Sequence, residues 1–187
     1  DSLGNVNYQG IIENPYFFEQ YFEFIENISP ITHPKYFKTD DDVKAYWINV
    51  YNALILKIMI ENPEKDILDI SFIGHHIFSN KFKVAHQMIS PNYIEYKILR
   101  KMNDPRIHFV INCGSKSCPA LGNRILIGKD LNRQLENKTF AFVNNKDNVL
   151  IDSDNRIIYL SQIFKWYKKD FDNLIEFIVK YLNADID

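Results

Sequence analysis

The sequence has little cysteine, little glycine and no long uninterrupted apolar run. Its 2 cysteines and 6 glycines in 187 residues exclude a disulfide scaffold and a collagen-like repeat. The longest apolar stretch, 45–60, is interrupted by polar residues and is shorter than the roughly 20 residues of a membrane-spanning helix. The sequence also has no large excess of charge of either sign, because its 22 Lys and Arg nearly balance its 24 Asp and Glu and give a net charge of -2. We therefore expect one globular domain with no membrane span and no nucleic-acid partner.

The amino-terminal part of the chain has the periodicity of helices. A first helix is predicted over 15–27. Thr39 and Asp42 have the spacing of a capping box, which predicts a second helix over 41–61. The residues of this second helix are apolar on almost every face, so it should be the central, buried helix of the fold.

The rest of the chain alternates between short β-rich and helical segments. The predicted elements are a strand pair within 76–89, a helix from 90 or 92 to 102, a buried strand over 107–112, a short helix from 119, a helix over 131–144, a hairpin over 149–160 and a terminal helical stretch from 161. Helices followed by a small, mostly antiparallel sheet with flanking helices indicate a single α+β domain. We assign 1–38 to an amino-terminal helical arm and 39–187 to the domain itself.

Cys118 is the first candidate for chemistry. It follows the predicted strand and a tight turn at Gly114, and it precedes Pro119. Proline is favoured at the first position of a helix, so Cys118 would be an N-cap where backbone N–H groups stabilise a thiolate or an oxyanion. This placement predicts a nucleophile; the alternative is a small buried side chain that only packs.

His108 is the candidate base. Strand alternation would place His108 and Asn112 on one face and Cys113 on the other, so Cys113 is predicted to be an unreactive core residue. The strand would deliver His108 towards Cys118, forming a Cys/His pair. The alternative is a core histidine that bonds to a backbone carbonyl.

Three further polar residues lie in apolar surroundings. Asn49 and Asn52 share one side of the central helix and need partners, so we expect both to face 108–118. They would orient an imidazole or a ligand, or they would simply attach the helix to a loop. Glu95 belongs to a charged group with Arg100 and Asp104, for which a structural ion-pair network is the expected role of the last two.

The sequence contains none of the common cofactor signatures. The remaining histidines lack metal-ligand spacing, and no nucleotide-binding, GxSxG or HExxH motif occurs; the histidines are His33, His75, His76 and His86. We therefore expect no metal and no cofactor.

Four blocks, in this order, resemble the DUF547 family, a domain of unknown function. They are Ala45–Ala53, Ile94–Arg100, Asp104–Pro119 and Tyr159–Tyr167, and the resemblance covers about 40–172. It implies that six residues occupy family positions: Asn49, Asn52, Glu95, His108, Cys113 and Cys118. The family usually has His after the glutamate, where this chain has Tyr96, so His108 would have to supply the base. The resemblance also implies export for bacterial members and, from relatives joined to glutaredoxin-like or leucine-zipper regions, thiol chemistry or protein interactions.

Three functions are compatible with these residues. The leading hypothesis is a cysteine-dependent hydrolase or acyl-transfer site acting on a small-molecule or peptide-like substrate, with Cys118 as nucleophile and His108 as base. In it Asn49, Asn52 or Glu95 orients the imidazole. The second is a binding or scaffold domain with a protein partner, and the third is a thiol switch formed by Cys113 and Cys118. Because the chain begins at Asp1 rather than Met, its compartment stays open, with export as the implied one.

Overall fold

Helices make up most of the computed structural model, which describes residues 6–62, 77–114 and 117–183. The α-helices are α1 (Tyr8–Glu13), α2 (Tyr16–Asn27), α3 (Asp40–Glu61), α4 (Pro91–Tyr93), α5 (Leu131–Val143), α6 (Gln162–Trp166) and α7 (Leu174–Tyr181). A π-helix, Ile94–Ile98, continues α4. The 3₁₀-helices are Pro34–Tyr36, Ile77–Ser79, Leu99–Met102, Pro105–Phe109, Gly128–Asp130 and Lys168–Asp170.

Two small antiparallel hairpins complete the fold. In the first, β1 (Phe82–Val84) pairs with β2 (Gln87–Ile89), with Phe82 opposite Ile89. In the second, β3 (Val149–Asp152) pairs with β4 (Ile157–Leu160), with Val149 opposite Leu160. The two hairpins are separate two-stranded sheets. The molecule is therefore a mostly helical α+β domain, which confirms the predicted fold class.

The central helix is α3, as its sequence predicts. Thr39 Oγ1 accepts the N–H of Asp42 at 3.1 Å, and Asp42 Oδ2 accepts the N–H of Thr39 at 3.0 Å, which completes the capping box. Three aspartates in the first turn complement the positive end of the helix dipole. Most of the apolar residues of α3 are buried, and they are the largest contribution to the first hydrophobic cluster.

The amino-terminal arm is anchored to that cluster. Ile25 of α2 is fully buried in it, and the Ile25 carbonyl accepts the hydroxyl of Tyr46 at 3.3 Å and the N–H of Ala85 at 2.9 Å. The arm and the domain thus share one core, while the boundary near residue 38 stays a prediction. No helix of the described residues is long and apolar enough to cross a membrane.

The predicted strand over 107–112 is wrong. Pro105 begins a 3₁₀-helix here, and Asp104 caps it by accepting the N–H of Arg106 at 3.2 Å. Aspartate before proline favours a turn locally, and among the described residues no strand pairs with this β-rich segment to oppose that preference. Ile107 packs into the first cluster and Phe109 into a second cluster formed by the carboxy-terminal helices. His108 is buried between them.

The predicted short helix from Pro119 is also absent. The chain runs from Pro119 without regular structure to Gly128, where the next 3₁₀-helix begins. Cys118 is therefore not a helix N-cap, and the predicted stabilisation of its thiolate by a helix beginning at Pro119 is lost. The other predicted elements are confirmed, with Ser90 as the cap of α4; residue 76, where the first hairpin was predicted to begin, lies outside the described residues.

Candidate functional site

Cys113 and Cys118 lie side by side. Their sulfur atoms are 2.6 Å apart, and both residues are half-buried thiols rather than a disulfide. The N–H of Cys113 also donates to the sulfur of Cys118 at 3.4 Å. The prediction that Cys113 is a core residue is wrong, because it depended on strand alternation in a segment that is not a strand.

Asn52 holds the segment that leads to the thiol pair. Its Nδ2 donates to the carbonyl of Val110 at 2.9 Å, and its Oδ1 accepts the N–H of Asn112 at 3.0 Å. Asn112 in turn donates from Nδ2 to the carbonyl of Pro119 at 2.7 Å, which closes the loop around the two cysteines. Gly114 has a φ of 83°, a conformation that glycine adopts without strain.

Asn49 performs the same task on another loop. Its Nδ2 donates to the carbonyl of Leu126 at 2.8 Å, and its Oδ1 accepts the N–H of Leu126 at 3.0 Å. The expectation that both amides face 108–118 is confirmed for Asn52 and wrong for Asn49. Neither amide contacts an imidazole.

His108 is held by an aspartate that the sequence did not suggest. Its Nε2 lies 2.8 Å from Asp170 Oδ2, and the same carboxylate receives Nε and Nη2 of Arg100 at 2.7 Å and 2.6 Å. Tyr167 stacks on the imidazole with the ring centroids 3.8 Å apart. Arg100 and Asp104, which were expected in one ion-pair network, thus lie in two: Arg100 pairs with Asp170, and Asp104 pairs with Lys44 and Arg106.

The electrostatics of this group fix the tautomer of His108. Burial lowers the pKa of His108 to about 4, against the opposing effect of Asp170. Burial alone would raise the pKa of Asp170, but the hydrogen bonds from Arg100 and His108 lower it. At neutral pH a neutral ring therefore donates from Nε2 to a carboxylate, and Nδ1 is the acceptor nitrogen. Nδ1 is buried and has no hydrogen-bond partner among the described residues.

Glu95 lies in the π-helix and is 4% exposed. Its Oε2 accepts the hydroxyl of Tyr51 at 3.1 Å, whereas Oε1 makes no hydrogen bond of ordinary geometry within the described chain. Burial raises the pKa of Glu95, although the phenols of Tyr167 and Tyr51 and the charge of Arg100 oppose this shift. Single π-helical turns are frequent at functional sites.

Two phenols connect Glu95 to the thiol pair. Burial is the largest cause that raises the pKa of Tyr51, and the negative charges of Glu95 and of the Cys113 sulfur raise it further, in that order. Burial is also the largest cause that raises the pKa of Tyr167. The charge of Glu95, the hydrogen bond between Tyr167 and Glu95, and the charge of Cys113 raise it further, in that order. The thiols, the two phenols, Glu95 and His108 thus form one neighbourhood. Within it neither ring nitrogen of His108 bonds to Cys118, because Nε2 faces Asp170 and Nδ1 has no partner among the described residues.

Tyr96 occupies the position at which the family resemblance implies a histidine. Its ring is 48% exposed, and the guanidinium of Arg100 lies 4.7 Å from the ring centroid. No imidazole is therefore supplied from this position. In the described residues no group of three or more His, Cys, Asp or Glu is arranged to hold a metal ion.

Sequence reasoning missed three members of the neighbourhood. Tyr51 lies between Asn49 and Asn52 in the first block, and Tyr167 ends the fourth block, so block membership was a usable signal for both. Asp170 follows Lys168 and Lys169 in what reads as an exposed segment, and nothing local marks it.

Comparison with known families gives one match, to the family described as "Protein of unknown function, DUF547", over residues 36–143. This match spans more than half of the chain, and the chain belongs to the DUF547 family. The matched residues include Asn49, Asn52, Glu95, His108 and both cysteines, whereas Tyr167 and Asp170 follow them in the sequence. The chain matches no curated protein and no solved structure.

Proposed function

We propose that Cys113 and Cys118 are a reactive thiol pair and that the protein acts by thiol–disulfide exchange. The observation that supports this proposal is the separation of 2.6 Å between the two sulfur atoms. A pair in contact needs little further movement to form a bond, whereas a thiol that only packs has no need of a second thiol beside it.

We propose different roles for the two cysteines, and their contacts support this difference. Cys118 is the attacking thiol, because its sulfur accepts the N–H of Cys113 and so is the better place for negative charge. Its thiolate attacks one sulfur of a substrate disulfide, forms a mixed disulfide and releases one thiol. Cys113, deprotonated, then attacks the sulfur of Cys118 and releases the second thiol. The substrate gains two electrons and the protein loses two. Export, which the family resemblance implies, would place the pair in an oxidising compartment.

The roles can be tested with glutathione disulfide as the substrate. The wild-type protein should lose two hydrogen atoms and retain no glutathione, as measured by intact mass. Cys113→Ser should accumulate a mixed disulfide at Cys118, because the resolving thiol is gone. Cys118→Ser, the matched control, should react much more slowly. The exchange function would be rejected if both variants reacted with glutathione disulfide at the same rate and if that rate were close to the rate of the unfolded protein in denaturant.

A second candidate, acyl transfer by Cys118 with His108 as base, is favoured by a different observation. Asp170 holds His108 in the tautomer whose Nδ1 is free to accept a proton, as a catalytic base requires. This reaction requires Cys118 to move into hydrogen-bond reach of Nδ1 of His108, which takes the thiol proton as the sulfur attacks an acyl carbonyl. The leaving group takes that proton, and water then releases the acid from the thioester. Asn52 and Glu95 would be positioning residues.

A small activated ester, 4-nitrophenyl acetate, separates this candidate from exchange. Acyl transfer predicts a stoichiometric burst of nitrophenol that Cys118→Ala abolishes, His108→Gln reduces by roughly a hundredfold and Cys113→Ser leaves intact. Exchange without acyl transfer predicts no burst and a normal reaction of all His108 variants with glutathione disulfide. Failure of both assays would leave a binding domain with a protein partner.

A further inference from the structure

A second feature of the molecule is a cavity of about 510 Å³ between α2, α3 and the irregular loop that follows Pro119. Cavities that bind small molecules have volumes of roughly 300–1,000 Å³. The apolar lining comes from all three elements, and its main members are Phe17, Phe18, Tyr21, Ala53, Leu56 and Leu121. Its size and position are those of a ligand site that is separate from the thiol pair.

Most of the residues that line the cavity are apolar. Asn49 and Asn52 lie on its wall, but the amides of both already bond to backbone groups. At its edge Phe17 is 76% exposed and Ile125 is 68% exposed. Apolar side chains grouped around an open cavity are a usual sign of a binding site, because exposing them to water is unfavourable.

Both charged residues that line the cavity are basic, and they lie at its loop side. They are Arg124 and Lys138, and no acidic residue is among the described lining residues. The ammonium of Lys138 points to the loop: it donates to the carbonyl of Ala120 at a long 3.4 Å, and a Cβ on Gly122 would lie 3.3 Å from it. No carboxylate of the described chain forms an ion pair with either residue. Burial lowers the pKa of Lys138, which an anionic partner would reverse.

We propose that this cavity binds an amphipathic carboxylate, a fatty-acid-like molecule. Its aliphatic chain lies between α2 and α3, and its carboxylate binds Lys138, with Arg124 at the rim. Charge complementarity decides the head group, because a half-buried ammonium without a carboxylate partner among the described residues lies at one end of an apolar volume. The proposal is independent of the reaction at Cys118, since neither cysteine lines the cavity.

The probes for a test are dodecanoate, dodecanol and dodecyltrimethylammonium, each titrated calorimetrically below its micelle concentration. We expect saturable binding of one dodecanoate per chain, with the alcohol at least tenfold weaker and the cation weaker still. Within a series from hexanoate to hexadecanoate, affinity should rise roughly three- to fourfold per methylene until the cavity is full.

Variants at Lys138 test the head-group contact. Lys138→Met should weaken dodecanoate about tenfold and leave dodecanol unchanged, while Lys138→Arg should restore most of the affinity. Lys165→Met, which removes an exposed lysine of α6 outside the cavity, is the matched control and should change nothing. Circular dichroism of each variant separates lost binding from lost fold.

Three outcomes would overturn the proposal. Equal affinity for dodecanoate and dodecanol would remove the role of Lys138. An absence of saturable binding at every chain length would mean that the cavity does not accept an acyl chain. Concentration-dependent self-association that Phe17→Ser abolishes would identify the cavity as a contact between two copies of the chain.

Discussion

Two groups of ion pairs, both of which include residues between 100 and 108, differ in how many of their buried polar atoms have hydrogen-bond partners. The Asp104 cluster consists of Lys44, Asp104, Arg106 and Glu136, with N···O distances from 2.6 Å to 2.9 Å. Burial alone would raise the pKa of Asp104, but Arg106 and Lys44 lower it to about 2. The Asp170 cluster consists of Arg100, His108 and Asp170, with Glu95 beside it.

Only the second group contains unpartnered buried atoms. Glu95 Oε1 and His108 Nδ1 are the two buried side-chain atoms of the described residues without a hydrogen-bond partner. An unsatisfied buried polar atom costs about 1–3 kcal/mol, so a group that serves only stability should not contain two. The comparison supports a structural role for the Asp104 cluster, and the two unpartnered atoms are the reason for which we propose a functional role for the Asp170 cluster.

The largest loss of stability is expected from a substitution that breaks the Asp104 cluster. Asp104→Asn leaves Lys44 and Arg106 without their shared carboxylate in a largely buried place. We expect a loss of about 3 kcal/mol in the free energy of unfolding, measured by urea denaturation. Asp130→Asn, in the exposed pair with Arg133, is the control and should cost under about 0.5 kcal/mol. Similar losses for both variants would contradict the structural role of Asp104.

The contribution of the Asp170 cluster to the free energy of unfolding should depend on pH. The folded pKa of His108, about 4, lies below the value of about 6.5 in an unfolded chain, so the folded state prefers the neutral ring. The stability from this preference is fully present above about pH 6.5 and is lost as the pH falls through about 4. Because the side chain is fully buried, the difference between the folded and unfolded pKa values corresponds to a change of about 3 kcal/mol.

Urea midpoints of the wild type and of His108→Gln, measured between pH 7 and pH 4, give this contribution as a difference. The wild type should lose more stability than the variant as the pH falls. Parallel pH profiles would mean that His108 titrates as in an exposed position, against the burial on which its assigned tautomer depends.

Asn52 attaches the central helix to the segment that precedes the two cysteines. Asn49 provides a matched comparison, because it attaches the same helix to another loop. Each alanine variant removes two hydrogen bonds to the backbone and should cost about 2 kcal/mol. Only Asn52→Ala should also slow disulfide formation by Cys113 and Cys118, because it frees the segment that precedes them. Equal slowing by Asn49→Ala would show that the effect comes from general destabilisation.

The smallest effect should come from Glu95→Gln. The amide still accepts the Tyr51 hydroxyl, and it removes the cost of a buried charge. Because the folded pKa of Glu95 is raised, the wild type loses stability as the pH rises through that value. At pH 7 the variant should therefore be equally stable or about 1 kcal/mol more stable by urea denaturation. A marked loss would place Glu95 among the satisfied structural groups.

Residues close together in the sequence determined the helices and the hairpins. Thr39 and Asp42 complete the cap of α3 within one turn, and apolar residues all around that helix require burial. The cysteines, five positions apart, also lie within reach of each other in a short loop. In such cases the deciding interactions span a few residues, so the local sequence contains the information.

Tertiary structure decided the rest of the candidate site. His108 meets Asp170 from 62 positions away, and Asn49 reaches a loop 77 positions away, while the nearby Asn52 reaches a different one. The β-rich residues after Pro105 form a 3₁₀-helix, and no strand in the part of the chain that the structure describes pairs with them. Partners of buried polar atoms are selected by which segments pack together, and that choice depends on the whole core rather than on any one stretch of sequence.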